Sequence, residues 1–163
     1  MAYWHVSLPA RSAISEKHRV PHRWYKAASR EEAPMRIKLT SVMVDNQDTA
    51  LKFYTDVLGF KKKFDIPAGE YRWITVVSPE GPDDLELALE PNANPAAKAF
   101  QKAMFDQKIP LTSFESIDIR SECARLKKSG VAFVQEPTDV GPVVIAVFAD
   151  TCGNLIQLHQ PKA

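Results

Sequence analysis

Cysteine is almost missing from this chain, which holds two, Cys123 and Cys152, among 163 residues. That excludes a disulfide framework, and their separation excludes the paired spacing of a zinc site, so a reducing cytoplasm is the expected compartment. Long apolar runs are missing too. None approaches the roughly 20 residues that a membrane-crossing helix requires, so no membrane partner is expected. Charge of one sign is also lacking: 21 basic residues stand against 20 acidic ones, and a net +1 supplies no broad pull toward nucleic acid. No glycine-rich loop accompanies Lys61, Lys62 and Lys63, which therefore read as an exposed or edge strand and not as a phosphate site. Of four histidines, only His159 lies beyond residue 22.

What is present is an ordinary globular composition, 45% apolar and 25% charged, enough for one compact domain or two half-domains sharing a core. Residues 1–34 differ from the rest. Pro9, Pro21 and Pro34 interrupt them, no apolar period is sustained, and six Lys or Arg stand against three Glu. They hold His5, His18, His22, Trp4 and Trp24, yet the histidine spacings fit no ligand pattern and the basic residues are scattered. The segment reads as a disordered extension outside the core, a leader, upstream or vector-derived sequence, or a cleaved targeting peptide, with Met35 as an internal start. A metal-binding or nucleic-acid-binding arm is the rival reading.

The remainder repeats itself. Residues 39–46 alternate apolar positions and end in an acid and an amide; Ala50, Leu51, Tyr54, Val57 and Leu58 then recur at helical spacing before Gly59. This predicts a strand, an N-cap, an amphipathic helix and a glycine stop. Leu111-Thr112-Ser113-Phe114 opens a second copy, with Asp118 as cap, Ile119, Cys123 and Leu126 as stripe, and Gly130 as stop. Leu39 and Leu111 are 72 residues apart, Gly59 and Gly130 71. So constant an offset across four features in one order points to an internal duplication.

Between these copies, a turn at 67–70, a strand at 71–77, a loop at 78–84 and a strand at 85–90 complete the first unit. A helix over about 95–107 links the halves. The second unit continues with strands over 131–135, 143–148 and 155–160, separated by turns at 137–141 and 150–154. The prediction is an α+β fold over residues 35–163, built of two βαβββ modules at about 36–91 and 111–160. Each module covers one sheet face with a helix and leaves the other to line a hollow.

Phe53-Tyr54-Thr55-Asp56-Val57-Leu58-Gly59-Phe60 at the first helix end, and Asp150-Thr151-Cys152-Gly153-Asn154-Leu155-Ile156-Gln157-Leu158 near the terminus, resemble the vicinal oxygen chelate superfamily. That group includes glyoxalase I, extradiol dioxygenases, and the bleomycin and fosfomycin resistance proteins. The resemblance covers residues 36–160 and implies two modules curled around a cavity, in a chain that forms a homodimer. It does not select a reaction, because this fold hosts several chemistries and some pure binders. For metal-dependent members it implies four ligand positions, falling here at or next to Leu39, at Glu86, at or next to Leu111, and at Gln157. Only Glu86 suits a divalent cation, and leucine offers no lone pair. No cofactor is therefore expected, and a divalent metal is disfavoured.

The cavity candidates follow from strand parity. Glu86 and Glu90 share one strand face and are a candidate carboxylate pair for acid and base work, Glu86 the catalytic candidate, with ordinary exposed acids as the rival reading. Gln157 and His159 share parity on the last strand, and an imidazole there binds ligand or exchanges a proton. Arg72 and Trp73 point to opposite faces, so one enters the hollow, Trp73 to stack on a planar ligand or Arg72 to take an anion. Phe148 is a further ligand candidate, with packing as its rival, as for Phe100 and Phe105. Cys152 is a weak nucleophile candidate, since no histidine stands near it in sequence. Three functions compete: a metal-free small-molecule binder, a metal-dependent glyoxalase- or dioxygenase-like enzyme, and a dimeric interaction protein.

Overall fold

A computed structural model describes residues 36–82 and 85–162; the extension expected over residues 1–34 lies outside them. Strand β1 (Leu39–Val44) leads into α1 (Gln47–Lys52), which continues as a π-helical turn over Phe53–Val57. Strands β2 (Lys61–Ala68), β3 (Tyr71–Val77) and β4 (Glu86–Pro91) finish the first module. Helix α2 (Pro95–Asp106) crosses to the second, made of β5 (Thr112–Glu115), α3 (Ile119–Lys128), β6 (Phe133–Asp139), β7 (Val143–Ala149) and β8 (Leu155–Pro161).

Each module is one mixed sheet of four strands, in the orders β1-β4-β3-β2 and β5-β8-β7-β6, and the two sheets do not close into a barrel. In both, the first strand runs parallel to the last and the other pairings are antiparallel. Both helices start on the caps the sequence predicts, Asn46 accepting from the Thr49 amide and Asp118 from the Ser121 amide. Both stop at a glycine with φ of 84°, Gly59 and Gly130, a left-handed conformation that a Cβ would strain.

Three local features differ from the sequence reading. Pro67 and Pro137 lie inside β2 and β6 and not in turns; both strands are sheet edges, where a missing N–H breaks no ladder. Strand β6 also carries a register shift between Gln135 and Thr138 that absorbs its proline. The first helix is not α-helical throughout. Its π turn widens the spacing so that the successive residues Phe53 and Tyr54 are both buried. Phe53 meets Phe148 at a ring separation of 6.3 Å, and Tyr54 donates its hydroxyl to Asp150 at 3.1 Å.

The helix-side residues of both sheets fall in a single core. Val42, Ile74 and Leu89 from the first sheet join Phe148, Ile156 and Leu158 from the second, together with the stripes of α1 and α3. The opposite face of each sheet turns away from that core. A buried polar junction ties the halves together at the turn after β7. Asp150 accepts from the amides of Cys152 (2.9 Å) and Asn154 (2.8 Å), from Asn154 Nδ2 (2.7 Å) and from Tyr54. Burial nevertheless pushes its carboxyl above the usual aspartate range against those bonds.

Gln101, the buried residue of α2, sets its Nε2 within 2.8 Å of the Met43 and Cys152 carbonyls and 2.9 Å of Asn154 Oδ1. Its Oε1 accepts from Asn92 at 2.7 Å. Gln101→Ala strips the Cys152 carbonyl of this donor inside a buried site. The expected loss is about 1–3 kcal/mol, read as a lowered urea midpoint with an unchanged m-value; an unaltered midpoint would contradict this role.

Candidate functional site

Register pairing assembles the open face of the first sheet. Leu39 sits beside Glu86, Phe64 beside Thr75, and Ile66 beside Trp73. Leu39, Phe64 and Ile66 are 43%, 40% and 51% exposed, a large apolar share for one surface. Arg72, one residue from Trp73, takes the opposite face. Its Nε donates to Asp65 at 2.8 Å and its Nη1 pairs with Asp48 at the start of α1, which raises the guanidinium pKa and lowers that of Asp65. The Gln47 side chain accepts from the Arg72 amide (3.0 Å) and donates to its carbonyl (2.7 Å), fastening β3 to α1. The choice between Trp73 and Arg72 is thus resolved: the indole is on the open face and the guanidinium is on the helix side.

Glu86 is the acid of this face, with 18% of its side chain exposed. Lys63 reaches it, Nζ to Oε1 at 3.0 Å. A β-bulge follows this contact. Lys62 pairs with Val76 and Phe64 with Thr75, leaving Lys63 as the extra residue, so that Lys63 and Phe64 serve the same face in succession. Burial pushes the Glu86 carboxyl up, but the Lys63 bond, the neighbouring Thr75 hydroxyl and the charges of Lys63 and Lys38 outweigh it and hold the group below the usual glutamate range. Thr75 Oγ1 is itself fully buried and meets no partner in good hydrogen-bond geometry. Glu90 lies four residues along the strand from Glu86, about 13 Å, too far to make a carboxylate pair with it.

On the open face of the second sheet, Ser113 pairs with Gln157 and Glu115 with His159. Ser113 Oγ lies 2.8 Å from His159 Nδ1 and accepts from Gln157 Nε2 at 3.2 Å, while Glu115 Oε2 stands 3.7 Å from His159 Nε2. Gln157 and His159 are therefore together, as their parity predicts. Ser113 and Glu115 are additions whose signal was their parity on the partner strand. The residue facing Gln157 is Ser113 and not Leu111, whose amide bonds the Leu155 carbonyl at 2.8 Å while its side chain packs against the core. Phe148 is a correction. It is fully buried on the helix side against Phe53 and Phe133, so it packs and faces no ligand surface.

The four positions implied for a metal fit one poorly. Leu39 lies directly across from Glu86 with no lone pair, an ammonium stands 3.0 Å from the carboxylate, and the second sheet offers a hydroxyl and an amide. Among the described residues, no group of three or more His, Cys, Asp and Glu converges as metal ligands would.

Cys152 does not serve as a nucleophile either. Burial, with Asp150 and Asp45 nearby, pushes its thiol up to about 12, and burial raises Cys123 as well. Both thiols are free and buried. At pH 8 the native protein should leave both cysteines unmodified by a disulfide-exchange reagent such as DTNB, with both titrating once guanidinium is added. Rapid labelling of native Cys152 would contradict the inert reading.

Residues 36–158 match the sequence profile of the Glyoxalase/Bleomycin resistance protein/Dioxygenase superfamily. The chain is 56% identical over 126 residues to the uncharacterized protein YurT of Bacillus subtilis, covering 77% of this chain and 99% of YurT. It is 28% identical over 131 residues to a lactoylglutathione lyase of Salmonella typhimurium, covering 78% and 94% respectively. The crystal structure of TnmS3, an antibiotic binding protein from Streptomyces sp. CB03234, superimposes with a TM-score of 0.65 at 30% identity, over 80% of this chain and 99% of that one. Two βαβββ modules in one order, the matched profile and these likenesses lead to one statement: the chain belongs to the Glyoxalase/Bleomycin resistance protein/Dioxygenase superfamily.

Proposed function

We propose that this protein is a cytoplasmic homodimer that binds a small, largely apolar molecule between open sheet faces, without a resident metal. The observation that carries this reading is the direction of those faces. One core consumes the helix-side surfaces of both sheets, so the apolar face around Trp73, Phe64 and Ile66 and the polar face around Ser113, Gln157 and His159 are left over. Setting the first face of one copy against the second face of another gives a cavity with an apolar wall and a hydrogen-bonding wall, the usual make-up of a small-molecule site. TnmS3, an antibiotic binding protein, supports a binding role for such an arrangement.

The test joins oligomeric state to ligand stabilisation. Sedimentation should give a dimer. A panel of planar aromatic and amphipathic compounds should contain members that raise the melting temperature, equivalent to about 2.7 kcal/mol at a hundredfold excess over Kd. Trp73→Ala should weaken such a ligand by roughly tenfold or more, through loss of stacking and apolar contact. A monomer that no compound stabilises would contradict the proposal.

A metal-dependent lyase is the second reading, favoured by the likeness to lactoylglutathione lyase and by the imidazole of His159 held between Ser113 and Glu115. It requires a cation at Glu86. Elemental analysis separates the two: the binder reading expects substoichiometric metal and no rise in melting temperature on adding Ni²⁺, Zn²⁺ or Mn²⁺, whereas a stoichiometric metal would favour the lyase.

A further inference from the structure

Glu86 faces Lys63. Lys62 pairs with Val76 on the helix side, so alternation carries Lys63 to the open face, and the bulge then adds Phe64 to that same face, with the Lys63 Nζ 5.8 Å from that ring and 3.0 Å from Glu86 Oε1. The ammonium therefore stands in front of the carboxylate, where any cation bound by Glu86 would have to sit. Phe64, Ile66 and Trp73 continue the apolar surface along the sheet from it.

The geometry points to Lys63 as the polar anchor of the ligand site: an ammonium held by Glu86, beside a Phe64 that the β-bulge brings to the same face, taking an acidic oxygen of an aromatic ligand seated on Phe64 and Trp73. The ligand class is an aromatic ring carrying a carboxylate, phenolate or enolate oxygen. Glu86 acts on the ligand through Lys63, as a positioning residue that fixes the ammonium.

This inference rests on the open face being a ligand wall, and its test separates the two claims. Two probes are titrated by equilibrium dialysis, 2-naphthoate and the neutral 2-methylnaphthalene, against the wild-type full chain and against Lys63→Met, Lys63→Arg and the double variant Lys63→Met/Glu86→Gln. The double variant removes the charge of Glu86 together with that of Lys63 and guards against misfolding. Wild type should hold 2-naphthoate roughly tenfold or more tighter than 2-methylnaphthalene, the scale of one charge-assisted hydrogen bond. Lys63→Met and the double variant should lose that preference while still binding 2-methylnaphthalene, and Lys63→Arg should retain most of it. Equal binding of 2-naphthoate by wild type and both methionine variants would overturn the Lys63 assignment and leave the ligand wall standing. Failure of both probes to bind wild type would overturn both claims.

Discussion

The structure depends on burying two sheets against one shared core. A βαβββ unit of this size has a single helix to cover one face of four strands, and half a core is too little to hold a fold against its conformational entropy. Merging the two halves solves this. Phe53 from the first helix packs on Phe148 of the second sheet, and Phe60 meets Phe114 in an edge-to-face contact at 5.2 Å. Tyr54, Asp150, Gln101 and Asn154 then supply directional bonds at the same boundary. Apolar contact provides the stability; the polar junction fixes which register of the two halves is adopted.

Because that core takes the helix-side surfaces, the other two faces are left open. They are unlike one another. The first carries an ion pair set among aromatic and aliphatic side chains, and the second a strip of hydrogen-bonding groups, Ser113, Gln157 and His159, with Glu115 beside the imidazole. A site made from both has charge at one wall and hydrogen bonds at the other, which suits orienting a flat molecule more than activating a bond. Lewis-acid chemistry would need ligands at Leu39 and at the serine facing Gln157 that these side chains do not provide.

Much of this was legible in the sequence, and the reason is periodicity. Strand alternation and the helical stripes are set by which residues must be buried, so β1, α3 and the two glycine stops follow from the pattern alone. Parity likewise separated Trp73 from Arg72 and joined Gln157 to His159. What periodicity cannot carry is an irregularity that resets it. The bulge at Lys63 looks in sequence like one lysine in a run of three, and the prolines of β2 and β6 look like turn signals until the sheet order shows both strands to be edges. Phe148 looked like a wall of the hollow because a single strand does not say which of its faces the helices cover.

The π turn at Phe53–Val57 explains a one-residue discrepancy between the halves. The first copy spends 20 steps from Leu39 to Gly59, the second 19 from Leu111 to Gly130, and the extra residue sits in a helical segment running from Gln47 to Val57 where its counterpart spans Ile119–Lys128. Widening one turn accommodates the extra residue. The two copies are not interchangeable there: of the two helices, only the longer delivers a tyrosine hydroxyl to the aspartate of the other half, which gives the chain a distinct donor half and acceptor half.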